Sequence, residues 1–423
     1  MLSRIRALRY RCFRDLNVRW GSYNVLAGAN GSGKSTLLDI PQLFADMLRY
    51  GMLPAFLETM PSLGTARAQS LNELTHCYRG GDFGFVLEAT LPPDIAAFLV
   101  EDAPTNVEQT RTQQPHIVRY AIRFQMFNET DLHVVREVLS LGTETITRNE
   151  KGIAIRRMRR FKSVIERHNT STLIYPENRS VRKRRQFSLR LEPSKLALAN
   201  LPLDTSLFPA TIWFIELLKE KIVTYVPNIQ ALRQACPPGQ PKTIRPDAAN
   251  LPWMVLNLKQ EHPDMLAAWV EHVQTALPNI TAIDAVRRED DAHAYLRVDY
   301  QGGYTVTSSG LSGGTLSILA LTILPYLSNP PRLVCLEEPK NGIHPRAIEA
   351  VLQSLSSLYD SQVWLSTHSP IVLAHTDLAN LIVMCKDGDG GMEAIPGDQH
   401  PRLRDWHGGI DLGSLFAAGV LDI

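Results

Sequence analysis

Ser309-Gly310-Leu311-Ser312-Gly313-Gly314-Thr315 opens the stretch whose reading decides the fold. It runs on through Leu333-Val334-Cys335-Leu336-Glu337-Glu338-Pro339 to Ser366-Thr367-His368-Ser369. In the first segment a small hydroxyl residue and paired glycines precede an apolar run, the pattern of a helix whose first-turn N–H groups are left to receive an anion. Residues 316–327 are apolar almost all round, which predicts a buried helix with a rigidly aimed N-terminus. The second segment has strand length and ends in two carboxylates; the third follows a short apolar strand, 363–366, and ends in a histidine. Both read as strands of a parallel sheet, and open α/β sheets bind ligands at the carboxyl ends of their strands. One acid there can hold Mg²⁺, the next can take a proton from water, and His368 can reach a terminal phosphate.

Such a site needs a loop that wraps phosphate, and the chain supplies one near its start. Gly28-Ala29-Asn30-Gly31-Ser32-Gly33-Lys34-Ser35-Thr36 fits G-x-x-x-x-G-K-[ST], between an apolar strand at 23–27 and a helical run at 37–43. Asn30, Gly31, Ser32, Gly33 and Thr36 give the backbone that cradles phosphates, Lys34 adds charge at the β/γ oxygens, and Ser35 offers its hydroxyl to Mg²⁺.

These residues resemble the ABC-type ATPases. Leu311-Ser312-Gly313-Gly314-Thr315 is similar to their signature motif, 333–338 to the Walker B strand, Lys340-Asn341-Gly342-Ile343-His344-Pro345 to the D-loop, and His368 to the switch histidine. Glu-Glu-Pro-x-Asn-Gly-x-His-Pro followed by Ser-Thr-His-Ser-Pro resembles the RecF, SMC and OLD-like branch, whose members act on DNA or in antiphage defence. The resemblance covers roughly the first 95 and last 130 residues. It implies an α/β P-loop head, a mixed sheet with flanking helices and an antiparallel β-subdomain, using ATP and Mg²⁺. Glu338 and His368 would be catalytic, Ser35 and Glu337 would hold Mg²⁺, and Ser312, Gly313 and Gly314 would complete the site of a second copy in a head-to-tail dimer or higher assembly. Glu337 stands where most of these proteins carry Asp, and since Mg²⁺ geometry is demanding this implies slow turnover. Tyr10-Arg11-Cys12-Phe13-Arg14-Asp15 resembles the aromatic-arginine segment of such heads; Arg11 is either a nucleotide contact or a solvated arginine on an edge strand. Gln69 is one candidate for the family's glutamine between P-loop and signature, with nothing local to distinguish it.

The 423 residues allow two or three domains, and 44% hydrophobic with 21% charged residues is ordinary globular composition. Cys12, Cys77, Cys236, Cys335 and Cys385 form no C-x-x-C pair, so neither disulfides nor zinc is expected. No apolar run approaches the ~20 residues that span a bilayer, and the basic N-terminus lacks a signal-like core, which points to the cytoplasm and away from membranes.

In chain order, strands are expected at 5–13, 16–20, 23–27, 83–91 and 116–125, the last two extending an antiparallel sheet. The head is expected to be split: 1–95 with the P-loop, 289–423 with signature, Walker B, D-loop and histidine, and an inserted lid at 96–288. No heptad arm is visible in the insert, and prolines 237, 238, 241, 246 and 252 would break one. A mainly helical lid is expected, with helices at 205–222 and 262–277 and a surface loop at 237–252.

Within the insert, 151–190 holds 13 Lys and Arg against Glu166 and Glu177. Arg156, Arg157, Arg159 and Arg160, then Arg182, Lys183, Arg184 and Arg185, are its dense points. Three readings stay open: a phosphate-backbone surface for nucleic acid, a surface for an acidic partner protein, or a solvated helix face. Lys386-Asp387-Gly388-Asp389-Gly390-Gly391 carries an Asp-x-Asp like that of the TOPRIM domain fused to some OLD nucleases. Asp and Gly favour a tight turn instead, inside a hairpin of 381–385 with 392–395, and too few residues follow for a TOPRIM domain. The glycine-rich tail at 406–416 either packs on the head or offers a docking surface.

The resemblance therefore implies an ATP-hydrolysing switch acting on DNA or on a partner nuclease or effector. An ATP-gated scaffold with little turnover is the alternative. A transporter's nucleotide-binding subunit is disfavoured, because Ser312 lies much further beyond Lys34 than the same motifs do in transporters.

Overall fold

The computed structural model describes residues 1–61, 63–99, 115–127, 130–148, 154–178, 186–386, 391–403 and 411–420. Its strands are β1 Leu2–Tyr10, β2 Phe13–Arg19, β3 Tyr23–Ala27, β4 Asp82–Thr90, β5 Ile117–Phe127, β6 Asp131–Arg148, β7 Ala154–His168, β8 Ser171–Ile174, β9 Phe187–Arg190, β10 Ile222–Thr224, β11 Ile280–Arg287, β12 Ala294–Tyr300, β13 Tyr304–Thr307, β14 Leu333–Glu337, β15 Gln362–Thr367, β16 Leu381–Lys386 and β17 Met392–Pro396. The chain divides into two compact units. One comprises Met1–Trp20, Ile40–Lys221 and Lys386–Ala394; the other comprises Gly21–Asp39, Ile222–Cys385 and Ile395–Ile423.

The first unit is built on an eight-stranded sheet in the order β2-β1-β4-β5-β6-β7-β8-β9, antiparallel throughout. Period-2 alternation along β1 sets its buried face. Ile5 and Ala7 of β1 and Phe83, Phe85 and Leu87 of β4 are buried, while Arg4, Arg6 and Leu8 of β1 are less so. The buried face is aromatic: Phe85 meets Phe44 of the helix Lys34–Tyr50 edge-on at 5.5 Å, and Phe83 lies 5.1 Å from Phe124. Such pairs add roughly 0.5–1.5 kcal/mol each beyond the area they bury. Where the sheet buries charge it pairs it. Glu137 is fully buried, receives the Tyr120 hydroxyl at 2.8 Å and the Ala197 and Leu198 N–H groups, and lies 3.5 Å from Arg167.

The inserted segment departs from the helical lid expected of it. Residues 117–190 supply five strands, β5 to β9, that extend the antiparallel sheet. The first of these, β5, is the strand expected at 116–125, with Val118, Tyr120, Ile122 and Phe124 alternating at period 2; β6 to β9 are what replace the helical lid. The insert turns helical only in its second half, where Pro209–Glu220 and Pro263–Ala276 fall inside the helices read at 205–222 and 262–277. A third helix, Leu251–Glu261, starts within the expected loop. Pro252 was counted as a breaker, yet it sits in the first turn, where its missing N–H costs nothing.

In the second unit β10, β14, β15, β3 and β16 lie side by side and parallel. Residues 333–336 and 363–365 are buried to a strand that both faces cover, hence the unbroken apolar runs. The register sets Glu337 opposite Ser366 and Thr367 opposite Ala27, which brings the carboxyl ends of three strands to one edge. Every residue from 316 to 322 of the helix Gly313–Thr322 is buried, as its all-round apolarity requires. Trp269 is wholly buried and donates its indole N–H to the Thr322 hydroxyl at 3.0 Å, anchoring the helix Pro263–Ala276 to it. A separate three-stranded sheet, β11-β12-β13, completes the unit. In the tail, Leu412 is buried in this core and the helix Leu412–Ala417 packs on Pro370, so the described part of the tail belongs to the unit.

All five cysteines are free, and among the described residues no cluster of His, Cys, Asp and Glu suits a metal ion. No described helix is long and apolar enough to cross a membrane. The strands β16 and β17 flank Asp387 and Asp389, which lie outside the described residues.

Candidate functional site

The glycine loop leaves β3 and turns into the helix that begins at Lys34. Three of its glycines have positive φ: Gly28 at 147°, Gly31 at 77° and Gly33 at 87°. A Cβ on Gly28 would sit 2.4 Å from the Met384 carbonyl, so backbone angle and close approach both require glycine there. Lys34 folds back over the loop, donating from Nζ to the Gly28 and Ala29 carbonyls at 2.8 and 2.9 Å. Burial pulls its ammonium below the ordinary lysine range, while Glu338 and Glu337 pull it back up. The first-turn N–H groups of Lys34, Ser35 and Thr36 have no acceptor within the helix. Asn30, Gly31 and Ser35 are exposed, whereas Ser32 is buried against Gly28.

Ser35 Oγ donates to Glu337 Oε2 at 2.9 Å, joining loop and β14. Two neighbouring ligands of an octahedral Mg²⁺ with bonds of ~2.1 Å stand ~3.0 Å apart, so these oxygens fit one cation.

Glu338 follows β14 in the left-handed region, with φ at 45°. For a residue with a Cβ this costs about 1–2 kcal/mol, and it persists only where the surroundings impose it. Here they do. Its N–H donates to the Ser366 carbonyl at 3.0 Å, and its own carbonyl accepts from Asn341 N–H at 3.0 Å. The carboxylate accepts from the His368 N–H at 2.8 Å and the Thr367 hydroxyl at 3.3 Å, and Oε1 lies 2.7 Å from His368 Nδ1. The turn thus swings Glu338 off the line of β14 onto the end of β15.

Ser312 caps the signature helix, its Oγ accepting the Thr315 N–H at 3.1 Å. A Cβ on Gly314 would lie 2.6 Å from the Gly342 carbonyl, so signature and D-loop touch backbone to backbone. Beside them Tyr300 and Tyr304 stack at 5.2 Å with planes 2° apart, with Tyr304 more than half exposed. Sequence reasoning passed over these tyrosines and the clamp from Thr367. The Tyr-x-x-x-Tyr spacing across a hairpin was the one available signal for the first, and adjacency to His368 for the second.

Arg11 lies in the first unit, in the turn between β1 and β2. Its guanidinium donates to the Arg67 carbonyl and stacks 5.6 Å from the Tyr10 ring, so it is not a solvated edge-strand arginine. Gln69 is exposed in the same unit, its N–H donating to Glu73. Arg156, Arg157, Arg159 and Arg160 belong to β7, paired with β6, which replaces the helix-face alternative with a strand. Arg182, Lys183, Arg184 and Arg185 lie outside the described residues.

Residues 134–374, more than half of the chain, match the family described as "AAA domain, putative AbiEii toxin, Type IV TA system". A stretch of 89 residues is 34% identical to the Old nuclease of Escherichia phage P2, and the match spans 18% of this chain and only 15% of that protein. Among solved structures, the Smc head bound to the C-winged-helix domain of ScpA matches 93% of this chain and 97% of its own, with a TM-score of 0.50 at 12% identity. A Smc head with an extended coiled coil, bound to the C-terminal domain of ScpA derived from Pyrococcus furiosus, gives a TM-score of 0.48 at 11% identity over 93% and 95%. At such identities a structural likeness shows the fold alone. The chain belongs to this AAA-domain family, and its fold is that of an ABC-type, Smc-head-like P-loop ATPase.

Proposed function

We propose that the chain is an ATP-hydrolysing switch in which two copies meet head to tail. Each would give Lys34, Ser35, Glu337, Glu338 and His368 to one nucleotide, and Ser312, Gly313 and Gly314 to the nucleotide of the other, a two-fold isologous arrangement. The observation that carries this reading is the strained Glu338, held by Thr367 and His368 at the sheet edge that also bears the Ser35–Glu337 pair. No hydrogen bond among the described residues links 312–315 to the phosphate loop, which favours a signature that serves another copy.

On this reading Lys34 exchanges the Gly28 and Ala29 carbonyls for phosphate oxygens. Mg²⁺ held by Ser35 and Glu337 would neutralise charge at the β and γ phosphates. Glu338 takes the proton of the attacking water, and His368, engaged through Nδ1, keeps Nε2 for the terminal phosphate. The glutamate at 337 favours slow turnover, the behaviour of a timed switch.

The switch acts, in this proposal, in the cytoplasm on DNA or on a nuclease or effector partner, in repair or in defence against phage. The local likeness to the Old nuclease and the arginine-rich β7 support this output. The test is turnover of purified chain with Mg²⁺, with and without duplex DNA, beside Lys34→Ala and Glu338→Gln. Turnover that survives both substitutions overturns the assignment.

A further inference from the structure

The face of the eight-stranded sheet opposite its aromatic core carries a cleft of about 460 Å³, within the range of ligand pockets. Its floor follows from the register. Val86 stands opposite Ala121 and Ala121 opposite Val138, an apolar row across β4, β5 and β6. One row further along, Leu8, Gly84, Arg123 and Arg136 line up across the same strands. Gly84 hollows the floor at that row, and nothing larger fits, because a Cβ would stand 2.6 Å from the Ile122 carbonyl.

Four arginines rim this hollow: Arg9, Arg119, Arg123 and Arg136. Among the described residues two carboxylates pair with three of them. Asp82 is shared between Arg9 at 2.6 Å and Arg123, and Glu88 between Arg4 at 3.2 Å and Arg119 at 3.6 Å. Arg136 is exposed and has no acidic partner among the described residues. Planar guanidinium groups match phosphate oxygens two at a time while also stacking on flat rings.

We infer that this cleft binds a nucleotide unit distinct from the ATP of the phosphate loop, its phosphate between Arg123 and Arg136 and its base or sugar on Val86, Ala121 and Val138. The unit comes either as a free mononucleotide or as part of a single strand, since both present the same phosphate and ring. The site shares no residue with the phosphate loop, Glu338 or His368, so it stands or falls separately from the switch proposed above.

The experiment uses full-length chain carrying Lys34→Ala, to silence the phosphate loop, titrated with a fluorescent nucleoside monophosphate and with labelled single-stranded oligonucleotides of increasing length. Arg123→Ala with Arg136→Ala should weaken binding of at least one probe tenfold or more. Asp82 keeps Arg9 in that variant and Arg136 leaves no acidic partner behind among the described residues, so an unchanged unfolding temperature is expected. Affinity independent of length assigns the free nucleotide. Affinity that rises with length, with a salt slope of about 0.7 per phosphate contact, assigns the strand. Failure of every probe to bind, or binding unchanged by the double substitution, overturns the inference, whatever the ATPase assay gives.

Discussion

Gly313 and Gly314 are neighbours in one motif, and the structure gives them opposite sensitivities to a methyl group. A Cβ on Gly314 would stand 2.6 Å from the Gly342 carbonyl, where ordinary contact begins at 3.4 Å, so signature helix and D-loop must part by about 0.8 Å. The obstacle is backbone at the turn that also fixes Glu338, and overpacking of this kind costs about 1–3 kcal/mol. A Cβ on Gly313 meets only Ile229 Cγ2 at 3.6 Å, an ordinary contact, and replacing glycine in a helix gains up to about 1 kcal/mol. Calorimetry of nucleotide-free chain should therefore show Gly314→Ala unfolding roughly 2–10 °C lower, and Gly313→Ala unchanged or slightly higher. ATP turnover should fall in Gly314→Ala, because the displaced turn carries the carboxylate. Equal unfolding temperatures, or a Gly313→Ala variant that is the less stable of the two, would refute the packing argument.

Three further outcomes follow from the site. Glu338→Gln keeps the shape but removes the base, so turnover should drop about 10²–10⁴-fold while an ATP-bound dimer accumulates in sedimentation; a monomer at saturating ATP and Mg²⁺ would contradict it. Ser35→Ala removes one cation ligand and should raise the Mg²⁺ needed for half-maximal turnover, with ATP binding in EDTA unaltered. Burial pushes Glu177 up to about 7 although Ala210 N–H, Thr211 N–H and the Thr211 hydroxyl all donate to it. The native chain then binds more protons than the unfolded chain between pH 4.5 and 7, so this group's contribution falls as pH rises through that window, by a few kcal/mol in all. Glu177→Gln should lose that slope, and parallel stability profiles for the two proteins would disprove it.

Much of the site was legible in the sequence because phosphate chemistry imposes fixed local patterns. The loop needs Gly28 and Gly33 with Lys34 between strand and helix, and the structure places β3 at Tyr23–Ala27 and starts the helix at Lys34. Walker B and histidine strands were legible as unbroken apolar runs, since a buried parallel strand leaves no alternation to misread. The insert was harder. Arginines on β7 mask its period, and β6 to β9 gain their strand character from pairing with residues distant in sequence, which composition does not reveal. The left-handed turn at Glu338 was invisible for a different reason: its conformation is imposed by Ser366, Thr367 and Asn341, not by its own propensity.

The central claim is that each nucleotide site is completed by a second copy, and mixing two inactive variants tests it most directly. Lys34→Ala destroys the phosphate loop, and Ser312→Arg blocks the signature. If the sites form between copies, a mixed dimer holds one intact loop facing one intact signature, and an equal mixture should recover about a quarter of wild-type turnover. If each site is complete within one chain, the mixture has no intact site. ATP turnover of the mixture at saturating ATP and Mg²⁺ no higher than that of either variant alone would contradict the account.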